Sequence, residues 1–183
     1  MNRLFHLIAP PAKPVETVTP KSWKETEAFL GVPLPADYKD LIDHYGTGSF
    51  GDLITVYNPF TQIEYLNLFY ALDTLQQADR QTQKLGDPSW TAVKPYAYFP
   101  ATEGLLPWGC TRNLSQLFFW QVKGAPADWE TIFYNLRSGE YEVWKYPLSI
   151  FLYRLFTRQI ESVLLPEDFP GTEEPIRFIT ISG

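Results

Sequence analysis

Two runs of large apolar and aromatic residues, at 116–122 and 129–134, constrain this chain most strongly. Gly124, Ala125, Pro126 and Asp128 interrupt the chain between them. Runs of this length with turn residues in the gap predict neighbouring strands. Trp108, Phe118, Phe119, Trp120, Trp129, Phe133 and Tyr134 bring enough ring area to this stretch to seed a core. Ser138-Gly139 then predicts a turn into a third strand at 141–146.

Upstream the pattern is helical. Ser22 with Glu25 three residues later reads as a capping box, and Gly31 supplies the stop after Trp23, Glu27 and Leu30. Leu34-Pro35 opens the next helix, with Tyr38, Leu41, Ile42 and Tyr45 on one stripe. Asp37, Asp40 and Asp43 read as a solvated face, the first two also suited to the positive end of the helix dipole. Gly46, Gly48 and Gly51 predict an exit loop, residues 53–57 a short strand, and Asn58-Pro59 a turn. Residues 64–85 form the longest helical stretch, with Leu68, Leu72 and Leu75 on its buried side and Gly86, Asp87 and Pro88 as its stop. Residues 96–99 read as another strand.

Pro147 and Ser149 start a closing helix that turns Phe151, Leu152, Leu155 and Phe156 to the core and leaves Arg154 and Arg158 outside. The prolines at 10, 11 and 14 predict an extended N-terminal arm over 1–21. The segment IRFITI at 176–181 is strand-like, pairing within the chain or with a neighbour. Hairpin strands between flanking helices imply an α+β fold, with a mainly antiparallel central sheet and N-terminal, middle and C-terminal helices. The length of 183 residues fits one domain, with a core at 22–160 and a tail at 161–183.

The net charge of −6 argues against nucleic acid or an anionic membrane as partner and favours a basic protein. The single Cys110 excludes an intrachain disulfide and a Cys-rich zinc site. Residues 1–9 are too short to span a bilayer and weak as an export signal, so a cytoplasmic location is expected. Spacing brings neither His44 nor His6 to Cys110, and a free Cys in a core strand commonly fills space. Glu103 and Asp52 are the acids to weigh as a glycosidase-like pair, a reading that needs a shaped pocket. No catalytic residue, cofactor or metal is expected.

The run Trp23, Glu27, Leu30-Gly31, Leu34-Pro35, Asp37-Tyr38, Leu41-Ile42 and Tyr45-Gly46 resembles the opening of the SUKH superfamily. Phe50-Gly51-Asp52, Ile54 and Asn58-Pro59 are similar to its next strand. Leu106-Pro107-Trp108-Gly109, Asn113 and Leu117-Phe118-Phe119-Trp120 look like its central hairpin, and Pro126, Trp129 and the helix at 149–156 complete the match. The resemblance implies binding rather than catalysis. Bacterial members are thought to neutralise toxins, many of them nucleases, and fungal members act as regulatory scaffolds of cell-wall assembly. An immunity protein is therefore expected, with a scaffold as the alternative; a hydrolase would require a deep pocket of convergent polar groups.

One departure from the family pattern stands out. Asn113-Leu114-Ser115 replaces the usual Asn-Gly-Asp, and Leu is costly at positive φ. A longer connection than a two-residue type I′ turn is predicted there. A basic partner calls for acids beside rigid aromatics. The candidates are Phe50 and Asp52, then Glu103, Trp108 and Arg112, then the tip at Leu114, with Phe50 expected to be exposed.

Overall fold

Among the described residues, the two aromatic runs form neighbouring strands near the centre of a seven-stranded antiparallel sheet. The computed structural model describes residues 2–17, 20–85, 96–171 and 175–183. Its strands are β1 (Gly48–Phe50), β2 (Ile54–Val56), β3 (Leu105–Thr111), β4 (Gln116–Gln121), β5 (Glu130–Asn135), β6 (Tyr141–Trp144) and β7 (Phe178–Thr180). They lie in the order β6-β5-β4-β3-β2-β1-β7, each neighbouring pair antiparallel. The helices among the described residues are α1 (Asn2–Leu7), α2 (Pro20–Leu30), α3 (Ala36–Tyr45), α4 (Leu68–Leu85) and α5 (Leu148–Phe156). This is the predicted α+β arrangement.

The central strands read as unbroken apolar runs because both faces of the sheet are covered. On one face Trp108 stacks on Phe118 at 4.6 Å, and Phe151 of α5 meets both rings at 6.0 Å. Tyr38 of α3 meets Trp120 edge-on at 4.9 Å. On the other face Tyr98 stacks on Phe119 at 5.9 Å, and α4 packs along β3. Trp108 sits in a register shift between Pro107 and Gly109, where a Cβ on Gly109 would come within 2.6 Å of the Thr55 carbonyl in β2.

Several elements differ from expectation. The N-terminal arm is not extended throughout: residues 2–7 form α1, which packs on α5. Six residues cannot hold a helix by themselves; burial of Leu4 and Ile8, and the Tyr45 hydroxyl donating to the Ile8 carbonyl at 2.5 Å, supply what local propensity lacks. Helix α2 begins at Pro20, two residues ahead of Ser22. A short strand, β1, replaces the first part of the glycine-rich exit loop. At 96–99, Tyr98 makes one bridge to Leu105 in place of a strand. The 64–85 stretch divides into a 3₁₀ turn, Glu64–Leu66, and α4. Asn67 separates them and caps α4, its Oδ1 accepting from the Phe69 and Tyr70 amides at 2.9 and 3.3 Å. The expected stop at Gly86, Asp87 and Pro88 lies outside the described residues.

Two long-range clasps position the rest. Glu16 accepts from Thr47 Oγ1 at 2.6 Å and from the Gln62 amide at 3.1 Å, while its carbonyl accepts from Asn58 Nδ2 at 3.1 Å. Beside it Val15 bridges to Gly46, where φ is +70° and a Cβ would collide with the Val15 carbonyl. Asp37 of α3 accepts from the Ser149 amide at 2.8 Å and so satisfies a free N–H in the first turn of α5. The IRFITI segment supplies β7, which pairs with β1 inside the chain.

Candidate functional site

Two of the six predicted contact residues are core residues. Phe50 is 0 % exposed, held among Tyr45, Phe156 and Phe178. Its glycine neighbours belong to a paired strand and its turn, so the ring points under the helices. Trp108 is likewise 0 % exposed, in the register shift of β3 beneath α5. Neither offers a partner any surface.

The other four remain accessible but do not form one patch. Asp52, at the β1–β2 turn, forms an ion pair with Arg112, which follows β3. Leu114 lies in the same connection, 46 % exposed. Its amide donates to the Thr111 carbonyl at 2.9 Å, and Asn113 Oδ1 accepts from the Ser115 amide at 3.2 Å and the Ser115 hydroxyl at 2.7 Å. Leu114 takes φ +55° and Asn113 has no positive φ, so the predicted longer connection is what forms. Glu103 precedes β3 at its other end, roughly 20 Å away by strand length, and pairs with Lys123 at 3.1 Å. The gap far exceeds the reach of a glycosidase pair.

The remaining chemical candidates serve the fold. Cys110 pairs in register with Thr55 and Leu117, on the sheet face away from Phe118 and α3, which carries His44. Burial pushes its thiol up to about 11, against a hydrogen bond with Tyr57 that works the other way. The three aspartates of α3 separate in role: Asp37 clasps α5, Asp43 accepts from Trp23 Nε1 at 3.0 Å, and Asp40 stays exposed. Among the described residues no three His, Cys, Asp or Glu side chains cluster as metal ligands.

A surface that the periodic patterns do not disclose lies beside α2. This helix buries Trp23, Thr26 and Leu30, which leaves Phe29 off the stripe and 79 % exposed. Phe29 meets Phe69 of α4 edge-on at 5.0 Å. With Pro59 and Phe60 as the floor, the two rings shape an open apolar groove of about 490 Å³, with Glu25 as its charged lining residue. The other side of α2 is polar: Glu27 accepts from Lys39 Nζ at 2.7 Å and from the Leu34 amide at 2.9 Å, beside Asp40 and Asp43. Residues 20–75 carry eight acidic and three basic side chains, most of the net negative charge of the chain. The signal in the sequence was an aromatic out of phase with its own helix.

A family model, SUKH_6, described as SMI1-KNR4 cell-wall, matches residues 20–152, from the start of α2 into α5. The chain belongs to the SUKH family. No curated protein and no solved structure matches it. Both the Asp52–Arg112 tip and the Phe29 groove fall inside the SUKH region, whereas α1 and β7 lie outside it. At family level SUKH domains are protein-binding modules of the immunity or cell-wall-regulator type. No described helix is long and apolar enough to cross a membrane.

Proposed function

We propose that this SUKH protein is a non-enzymatic binding module of the cytoplasm that neutralises a basic toxin domain, such as a nuclease, by covering its active cleft. The family match over residues 20–152 carries this reading. The net charge of −6 supports it, since a basic partner is drawn towards an acidic surface over distances longer than any contact. Asp52, Glu103, Arg112 and Leu114 are the accessible members of the candidate set. The two acids, already paired with Arg112 and Lys123, act by shaping the field that guides encounter.

Capture of partners from the native host, followed by growth rescue against the captured toxin, tests the reading. Asp52→Lys and Glu103→Lys are expected to slow association several-fold at low salt and to leave the melting temperature in place. Parental association rates in both variants would remove the steering role. The family description also mentions the cell wall, which favours a regulatory scaffold as the second reading. Capture of a cell-wall or signalling partner without growth rescue would select it.

A further inference from the structure

We propose that the groove between α2 and the start of α4 docks a basic polypeptide and takes one of its apolar side chains against Phe29 and Phe69. This rests on the binding-module reading and names the face that performs it. Phe29 is an aromatic ring 79 % exposed on a well-formed helix. It is also part of a continuous apolar surface with Phe69, Phe60 and Pro59 rather than an isolated ring. A partner's apolar side chain that covers these rings removes apolar surface from water, inside a region of the chain with an acidic excess. The rings are already in place: Phe60 is braced edge-on by Trp23 at 4.8 Å, and Trp23 by the Asp43 carboxylate. A partner side chain therefore enters a preorganised slot, which lowers the ordering cost of binding.

The chemistry of the rim selects the occupant. A small molecule needs several convergent polar groups to fix its orientation, and this lining offers one carboxylate, Glu25, and the hydroxyls of Ser22 and Thr26. An anionic membrane is repelled by the acidic excess of residues 20–75. A second copy of the chain would bring the same charge of −6 to the contact. A polypeptide with Lys or Arg on either side of an aromatic or leucine side chain meets both demands. Its cations are drawn by the acidic excess of residues 20–75, while its apolar side chain fills the slot.

The test is selection of a phage-displayed library of random 15-residue peptides on the full chain. Enriched peptides are expected to carry Phe, Trp or Leu flanked by Lys or Arg. Their affinity should fall roughly tenfold or more on Phe29→Ser, the loss typical of an anchor residue, and be kept by Phe29→Tyr and by Leu114→Ser. Both Phe29 variants should melt with the parent. No enrichment, a consensus without basic flanks, or equal binding to Phe29→Ser overturns the proposal. So does a parental dimer, seen by sedimentation, that Phe29→Ser dissolves, because a second copy is then the occupant. The two proposals fail separately. A captured toxin bound equally well by Phe29→Ser removes the groove and leaves the immunity reading; peptide selection at the groove with no growth rescue does the reverse.

Discussion

At the tip of the sheet Phe50 turns inward and Asp52 closes on Arg112, whereas along α2 Phe29 stands out against Phe69 with Glu25 beside it. The two regions use the same residue types differently because of the elements that carry them. A strand in a sheet covered on both faces has no outward side, so an aromatic placed there becomes core. A helix packed by one stripe has a free flank, and a ring placed off the stripe is presented to solvent. The tip therefore sets charge and chain path, and the flank presents apolar surface. Charge at the tip should appear in the association rate and the groove in the dissociation rate.

The largest effect that would break this contrast is on stability. Phe50→Ala is expected to cost about 3–5 kcal/mol in urea unfolding, as loss of a core ring does, where a surface aromatic would cost little. A loss below about 1 kcal/mol would return Phe50 to the surface and undo the distinction.

A second, smaller effect separates a carboxylate that serves the fold from those exposed at the ends of β3. Burial works to raise the Glu16 pKa, but hydrogen bonds from Thr47, Thr61 and the Gln62 amide outweigh it and hold the carboxyl below the usual glutamate range. Its folded state thus prefers the charged form. The stabilisation is fully present above the unfolded glutamate pKa and disappears as pH falls through the lower folded value. Glu16→Gln is expected to cost about 1–2 kcal/mol at neutral pH, with the gap from the parent closing as unfolding is measured at progressively more acid pH. A gap that stays constant down to strong acid would show that the carboxylate charge is not what holds the clasp. The exposed pair Asp52–Arg112 should contribute little on the same measurement.

The smallest effect concerns Leu114. Leu114→Gly relieves a positive φ that costs an L-residue about 1 kcal/mol, partly offset by the greater freedom of glycine in the unfolded chain. The net gain is a fraction of about 1 kcal/mol, so a rise in melting temperature of about 1–2 °C is expected. A fall would mean that contacts of the Leu114 side chain outweigh the backbone strain, so that the tip itself stabilises the fold.

Much of this architecture was legible where a period runs long enough to be read. Tyr38, Leu41, Ile42 and Tyr45 lie buried on α3, and Phe151, Leu152, Leu155 and Phe156 on α5. The hairpin runs became β4 and β5, and Leu114 kept the connection from being a type I′ turn. Short elements escaped. Strand β1 is three residues long, too brief for alternation to show, and its identity comes from β2 and β7 on either side. Helix α1 exists because α5 and Tyr45 receive it, which no local pattern records. The groove escaped for another reason. It joins Phe29 to Phe69 across forty residues, and each ring alone resembles an ordinary hydrophobic residue.

The pairing of β1 with β7 joins Ser49 to Ile179. During synthesis the ribosome must therefore deliver about 130 further residues after β1 before that strand gains its outer neighbour. Until then the nascent protein carries an open strand edge, the kind of surface that invites association with other chains. Its yield in the cell should thus depend on how soon β7 follows β1, and slow codons placed between the two strands would be felt more than the same codons placed before β1.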